Sequence, residues 1–135
     1  MRGILLISHG HFAKGLKESA EMLCGACPQV FAVCLDSSDS PEVFVDKLSR
    51  AYESASVYGK VLVLCDLLGG TPCNLALQLL ADRDGAVLLA GMNLPMLMTA
   101  VLQEAELELL IKESREAIVD VLGRINLQYV ECEEE

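Results

Sequence analysis

The sequence predicts a single α/β domain, a mostly parallel four-stranded sheet with helices on both faces. Its 135 residues suit one domain with a fair core and leave no room for two. Four short apolar runs have the length of buried strands, and each is followed by apolar residues at helical spacing. These runs are residues 2–8, 30–35, 61–65 and 86–90. Strands that alternate with helices in this way predict a parallel sheet.

The first strand opens almost at once into a helix. Residues 2–8 lead into His9, and a helical pattern begins at His11. The apolar positions of this pattern predict one buried face and are Phe12, Leu16, Ala20 and Leu23. Gly25 and Pro28 are signals that end the helix.

The second unit has the same order of elements. Residues 30–35 form a continuous apolar run and predict the second strand. Ser40 is followed by Pro41, which predicts a helix with Ser40 as its N-cap and proline in its first turn. This helix ends near Gly59, and residues 61–65 predict the third strand.

The remaining elements complete the pattern. The third strand ends at Asp66, and Thr71 with proline after it predicts a second N-cap and a third helix. Residues 86–90 predict the fourth strand, and Leu94 starts a helix that is rich in Leu and Met. A last helical pattern covers about 106–124.

The composition limits the classes of partner. Twenty acidic and ten basic residues give a net charge of −10, which argues against binding to nucleic-acid phosphates or to an anionic membrane. The amino-terminal apolar run has only about five residues, far short of the roughly 18 that a spanning helix requires. We expect neither a signal peptide nor a membrane anchor, and therefore a cytoplasmic protein.

Six cysteines in such a chain are expected to be reduced and mostly buried. Cys24 and Cys27 form a Cys-x-x-Cys motif, so a thiol redox protein is one alternative. A reactive pair normally has its first thiol at a helix N-terminus, whereas this pair follows the apolar pattern of the first helix. A metal site would need a second ligand pair, and the sequence has none at matching spacing. We therefore expect no metal site at this motif.

Polar residues follow three of the predicted strands. His9 follows the first strand, Asp66 the third and Asn93 the fourth. The crossover rule for parallel strands places these three ends at one edge of the sheet, where open α/β sheets bind ligands. A carboxylate on one ring nitrogen fixes the imidazole tautomer and leaves a lone pair on the other. His9 and Asp66 are therefore a candidate nucleophile and its positioning carboxylate.

A glycine-bearing loop after the third strand supplies the second half of this site. It leads into a helix N-terminus, where backbone N–H groups favour an anion. Proline donates no hydrogen bond, so Gly70, Thr71 and Cys73 are the candidate donors. A histidine, its carboxylate and an anion cradle together suit a phosphoryl group carried on nitrogen. Each of these features alone is more often a cap, a turn or a satisfied polar residue, and only their convergence favours the functional reading.

His11 lies two positions from His9 and has two readings. It could shape the pocket or influence the ionisation of His9. The reading that we favour is an exposed residue near the start of the first helix, because two protonated histidines this close would repel each other.

Three motifs resemble one known family. Ile7-Ser8-His9-Gly10-His11-Phe12-Ala13 resembles the phosphohistidine motif of the IIA components in the mannose/fructose/sorbose family of the bacterial phosphoenolpyruvate-dependent sugar phosphotransferase system. Asp66-Leu67-Leu68-Gly69-Gly70-Thr71-Pro72-Cys73-Asn74 is similar to its second motif, and Gly91-Met92-Asn93-Leu94-Pro95-Met96 to its third. The motifs occur in the family's order and span nearly the whole chain, so residues 1–135 are expected to be one such domain.

The resemblance implies a phosphocarrier without metal or cofactor. His9 would accept a phosphoryl group on Nε2 from phospho-HPr and pass it to a separate IIB protein, which serves sugar uptake through the IIC and IID membrane components. Asp66 would hold the His9 ring, and Thr71 would contact the phosphoryl oxygens. A regulatory module of the same fold, which accepts phosphate but passes none to IIB, is the alternative. The sequence does not name the sugar.

The resemblance also implies a homodimer in which a carboxyl-terminal strand crosses to the sheet of the other subunit, as an antiparallel edge strand. Leu127 to Val130 are the candidate for that strand, followed by an acidic tail from Glu131 to Glu135.

Overall fold

The computed structural model describes residues 1–125. Four strands and five helices follow one another in the described residues, and residues 121–125 form a further short helical segment. The bounds are β1 Gly3–His9, α1 Phe12–Cys24, β2 Val30–Leu35, α2 Pro41–Ser56, β3 Val61–Cys65, α3 Thr71–Leu80, β4 Val87–Ala90, α4 Leu94–Gln103 and α5 Leu107–Glu116. The expected terminal strand, Leu127 to Val130, lies outside the described residues.

The sheet has the order β2-β1-β3-β4, and all three pairings are parallel. The four-stranded parallel sheet of the prediction is therefore confirmed. Side chains alternate between its two faces: Ile4 and Leu6 of β1 pack in the core beneath α1, α4 and α5, whereas Leu5 and Ile7 pack beneath α2 and α3. Helices cover both faces, which explains why the strands are apolar throughout.

The strand order places a crevice between β1 and β3. From β1 the chain leads to β2 on one side, and from β3 it leads to β4 on the other. The carboxyl ends of β1 and β3 therefore flank a topological switch point, the usual ligand position in an open α/β sheet. Ile7 is paired with Cys65, so His9 and Asp66 lie at adjacent strand ends.

Three local predictions need correction. In α1 the buried positions are Ala13, Leu16 and Ala20, whereas Phe12 and Leu23 are exposed. The predicted buried face is therefore right at Leu16 and Ala20 and wrong at both ends of the helix, where Ala13 is buried in place of Phe12 and Leu23 faces solvent.

The N-cap of α3 is Gly70, and Thr71 is the first helical residue. The last helical pattern is two helices, because α5 ends at Glu116 and the Asp120 carboxylate accepts a hydrogen bond from the Gly123 N–H at 3.1 Å. This contact starts a new helical turn instead of continuing the old one.

Candidate functional site

The carboxylate of Asp66 binds His9 at two points. The Asp66 Oδ2 atom lies 2.8 Å from the His9 ring Nδ1 and accepts the His9 backbone N–H at 2.9 Å. The Asp66 side chain is only 10% exposed, whereas that of His9 is 48% exposed. Because a carboxylate accepts, Nδ1 carries the proton and Nε2 keeps its lone pair. The structure thus brings the predicted pair together.

The second oxygen of this carboxylate has no partner. Asp66 Oδ1 is buried and accepts no hydrogen bond from the part of the chain that the structure describes. Within the described residues, both hydrogen bonds that the Asp66 side chain accepts therefore come from His9.

Gly70 packs against the edge of the His9 ring. A Cβ atom placed on Gly70 would lie 2.6 Å from His9 Cε1 and 3.3 Å from Nε2. Real Cβ atoms do not approach this closely, so a side chain at this position would displace the ring. Gly70 is the N-cap of α3, and this contact brings the helix N-terminus directly to the nitrogen that keeps its lone pair.

The first turn of α3 has fewer free donors than the sequence suggested. The Gly70 N–H donates to the Leu67 carbonyl at 3.2 Å and closes a turn. No side chain among residues 1–125 caps the helix, and Pro72 has no N–H. Thr71 and Cys73 therefore carry the N–H groups of this turn that are left for a ligand. Gly70 therefore contributes space beside His9, while Thr71 lines the same cavity as His9.

Ser8 is a site residue that sequence reasoning missed. It is fully buried, its hydroxyl accepts the Ala13 N–H at 2.7 Å and donates to the Gly10 carbonyl at 3.2 Å. This hydroxyl satisfies a backbone donor of the first turn of α1 and fixes the tight turn that follows His9. The available signal was a serine next to the candidate histidine and just before a predicted helix, because the first N–H groups of a helix have no partner within the helix.

Asp36 and Asp39 line the same open cavity as His9, which has a volume of about 560 Å³. Their carboxylates bind the Lys47 amine at 3.2 and 2.7 Å. The hydrogen bond from Lys47 lowers the pKa of the Asp39 carboxyl, and the same bond raises the pKa of the Lys47 amine. Spacing along the chain carries no signal for this contact, because it joins α2 to the loop after β2.

His11 lies on the rim of this cavity. Its side chain is 81% exposed, and its Nε2 atom is 3.9 Å from an Asp36 carboxylate oxygen. At that distance and exposure an ion pair contributes little. The position agrees with the favoured reading of an exposed residue near the start of α1.

The side chains of two asparagines in the motifs form hydrogen bonds with the backbone. The Asn93 Oδ1 atom accepts the Met96 N–H at 2.8 Å and caps α4. The Asn74 amide donates to the Gly69 carbonyl at 3.1 Å and ties the glycine loop to α3. Asn93 therefore serves the third motif as a helix cap at the ligand edge of the sheet.

The Cys-x-x-Cys pair is close but poorly suited to redox chemistry. The sulfur atoms of Cys24 and Cys27 are 3.6 Å apart, at the carboxyl end of α1. Burial, with the Cys24 hydrogen bond as the next cause, raises the pKa of Cys27 to about 11. Reactive thiols require the opposite shift. Burial likewise raises the pKa of Cys65, beneath the site, to about 12.

Two features are absent from residues 1–125. No group of three or more His, Cys, Asp or Glu side chains there is arranged to hold a metal ion. None of the described helices combines the length and the apolar character needed to cross a membrane.

The sequence and the fold are both similar to those of known proteins. The model of a family described as PTS system fructose IIA component matches residues 3–119. The sorbose-specific EIIA component of Lacticaseibacillus casei is 34% identical over 95 residues, which are 70% of this chain and 68% of that protein. The fructose-specific EIIA component of Bacillus subtilis is 32% identical over 98 residues, 73% of this chain and 67% of that protein.

A solved structure agrees with these relatives. The PTS IIA protein associated with the fucose utilization operon of Streptococcus pneumoniae superposes with a TM-score of 0.85 at 28% identity, and the match covers 92% of this chain and 96% of that one. The family match extends over all four strands and the residues at their carboxyl ends. The chain belongs to the mannose family of EIIA components of the sugar phosphotransferase system.

Proposed function

We propose that this EIIA component is a phosphocarrier in which His9 accepts a phosphoryl group from phospho-HPr and passes it to a separate IIB protein. The observation that carries this proposal is the contact of 2.8 Å between His9 Nδ1 and Asp66 Oδ2. It leaves Nε2 unprotonated beside the N-terminus of α3. A nucleophile and an anion cradle therefore share one cavity.

The transfer is a displacement at phosphorus. The Nε2 lone pair of His9 forms a bond to the phosphorus atom, and the N–P bond of the donor breaks with its electron pair returning to the donor imidazole. The His9 ring keeps its proton on Nδ1 and gains positive character, which the Asp66 carboxylate stabilises. Transfer to IIB is the same displacement with His9 as the leaving group.

The phosphoryl oxygens would be bound by the first turn of α3. The Thr71 hydroxyl and N–H and the Cys73 N–H are the donors, and the positive end of the helix dipole favours the negative charge. Such charge stabilisation and positioning supply most of the catalysis in phosphoryl transfer. The role of Gly70 is steric: because it has no side chain, the N-terminus of α3 can approach His9 Nε2 closely.

The experiment is incubation of the protein with phosphoenolpyruvate, Enzyme I and HPr, followed by a test for phosphate that is stable in base and labile in acid. His9→Ala should abolish the label. His11→Ala is the matched control, because the His11 side chain lines the same cavity but is exposed, and its contact with Asp36 is 3.9 Å long. Labelling of the His9→Ala variant would refute the proposal.

A second incubation tests the onward step. Addition of an unlabelled IIB protein should move the label from this chain to IIB, with sugar uptake through IIC and IID as the role of the complete system. A chain that accepts phosphate but passes none to any IIB protein would be the regulatory module instead. Phosphorylation of this chain by phospho-HPr, without transfer to IIB, therefore does not establish the carrier role.

We also propose that the protein is a homodimer. Strand β4 pairs only with β3 among the described residues and so presents an open edge. The apolar side chains of Ile118, Val121 and Leu122, which follow α5, are exposed. Sedimentation equilibrium measures the mass directly, and a monomer at all concentrations would contradict this proposal.

A further inference from the structure

Three exposed apolar residues, which we call the apolar rim, lie beside the proposed nucleophile. They are Leu67 and Leu68, which follow Asp66, and Phe12, which begins α1, and they are 60%, 79% and 48% exposed. Each lies within three positions of His9 or Asp66, whose side chains are in contact at 2.8 Å. Single exposed apolar residues are common, but three beside one reacting group indicate a surface that a partner covers.

Leu68 occupies the corner of a fixed turn. The Gly70 N–H donates to the Leu67 carbonyl at 3.2 Å, and Gly69 has φ 83°, as the third position of a type II turn requires. The Asn74 amide donates to the Gly69 carbonyl at 3.1 Å and ties this turn to α3. Turn residues are usually polar or glycine, so the turn itself does not explain a leucine at its corner. A side chain on a fixed backbone loses little entropy when a partner covers it.

The turn lies next to the His9 ring. A Cβ atom placed on Gly70 would be 2.6 Å from His9 Cε1 and 3.4 Å from the Leu67 carbonyl oxygen, so these two atoms are no more than about 6 Å apart. Reacting atoms approach each other to about 3 to 3.5 Å. A protein interface covers about 800 Å² on each partner, a patch of roughly 16 Å radius. A protein that brings phosphorus to Nε2 must therefore cover the turn.

The charges around His9 do not attract an anionic donor. Asp36 and Asp39 line the same cavity as His9, and their two carboxylates share the one amine of Lys47. One negative charge is left over, in a chain whose net charge is −10. A phosphoryl group gains nothing from this charge, so the donor must be held by apolar contact. A charged contact on the Asp36 side needs a cation on the donor.

We propose that the apolar rim is the docking surface for the phosphoryl-donor protein, HPr, with Leu68 as its main anchor. This role rests on the phosphocarrier function proposed above, because it names the surface that presents the donor to His9. The matching donor surface is apolar where it covers the turn and carries a cation where it meets Asp36. The apolar rim supplies affinity and orientation, whereas His9 and the first turn of α3 supply the chemistry.

The test is the labelling rate of Leu68→Ser as a function of phospho-HPr concentration, with phosphoenolpyruvate and Enzyme I in excess. The KM for phospho-HPr should rise about tenfold, because burial of one leucine contributes about that factor to affinity. The kcat should change less than about twofold, since the lost contact is the same before and during transfer. Leu67→Ser is a second variant and should raise the KM as well.

Val57→Ser is the matched control. Val57 is 83% exposed, close to the 79% of Leu68, but it follows α2 at the end of the sheet opposite His9. Its KM should equal that of the unmodified protein. The Tm of each variant is measured in parallel and should be unchanged, because the replaced side chains are exposed.

Docking is also measured without the reaction. Unphosphorylated HPr, titrated into ¹⁵N-labelled His9→Ala protein, should shift the backbone resonances of residues 67–70. Leu68→Ser in the same background should raise the dissociation constant about tenfold. The KM of the unmodified protein should also rise with ionic strength, and Asp36→Asn should reduce that dependence.

The docking surface and the phosphocarrier function fail in different ways. Absence of label on the unmodified protein would refute the phosphocarrier function. A labelled protein whose KM is the same with leucine or serine at position 68 would overturn the docking surface alone. A lower kcat at an unchanged KM would overturn it too, because Leu68 would then act on the reaction and not on docking. A KM that is independent of salt would contradict the cation on the donor.

Discussion

Substitution of Gly70 by alanine tests whether space beside the His9 ring is required for phosphoryl transfer. The added Cβ would lie 2.6 Å from His9 Cε1, whereas ordinary contacts begin near 3.4 Å. The ring must therefore move by about 0.8 Å. If that movement lengthens the 2.8 Å contact from Nδ1 to Asp66 Oδ2 by the same amount, the hydrogen bond is lost at about 3.6 Å.

The expected result is a large loss of transfer with little loss of fold. Displacement of a reacting atom by about 1 Å costs on the order of 100-fold in rate. Gly70 has φ −77° and ψ 166°, which alanine adopts freely, so the backbone is not strained. The poorer N-cap should cost less than about 1 kcal/mol. The assay is the rate of labelling by phosphoenolpyruvate, Enzyme I and HPr, with the Tm measured in parallel.

Gly15→Ala is the matched control for this substitution. Gly15 is an exposed helical residue, and a Cβ there meets no atom within 4 Å. Alanine should stabilise α1 by roughly 0.5 to 1 kcal/mol and leave the labelling rate unchanged. A Gly70→Ala variant that is labelled at the rate of the unmodified protein would refute the steric argument. A variant that unfolds would not count as support, because the argument predicts a folded protein.

Three further results are expected. Asp66→Asn should lower the labelling rate about 100-fold or more, because the amide cannot balance positive charge on His9; an unchanged rate would rule out the positioning role. Lys47→Met should lower the Tm at neutral pH. The Asp39 pKa is depressed below 3.8, so the difference in Tm should shrink as the pH falls through the folded value; a constant difference would contradict the pairing. The double variant Cys24→Ser, Cys27→Ser should transfer phosphate normally, whereas loss of transfer would revive a thiol mechanism.

The site divides into parts that the sequence could predict and parts that it could not. The ends of β1 and β3 could be predicted because a buried parallel strand is a continuous apolar run, and the run ends at His9 and Asp66. The N-cap at Gly70 could not be predicted, because Thr71 is also a good N-cap. Only the turn that the Gly70 N–H closes with the Leu67 carbonyl decides between the two positions. The Lys47 contact to Asp39 joins residues on different elements, and spacing carries no signal for it.

By itself, the sequence determined the order of the elements, the edge of the sheet where His9 and Asp66 meet, and the family to which the three motifs belong. It did so because hydrophobic period and motif spacing are local properties of a chain. Only the tertiary structure decided that Gly70 touches the His9 ring and that the Gly70 N–H donates to the Leu67 carbonyl. The first contact joins segments far apart in sequence, and such distances are set by packing. The second is a local turn, but it chooses between two N-cap positions that residue preference leaves open.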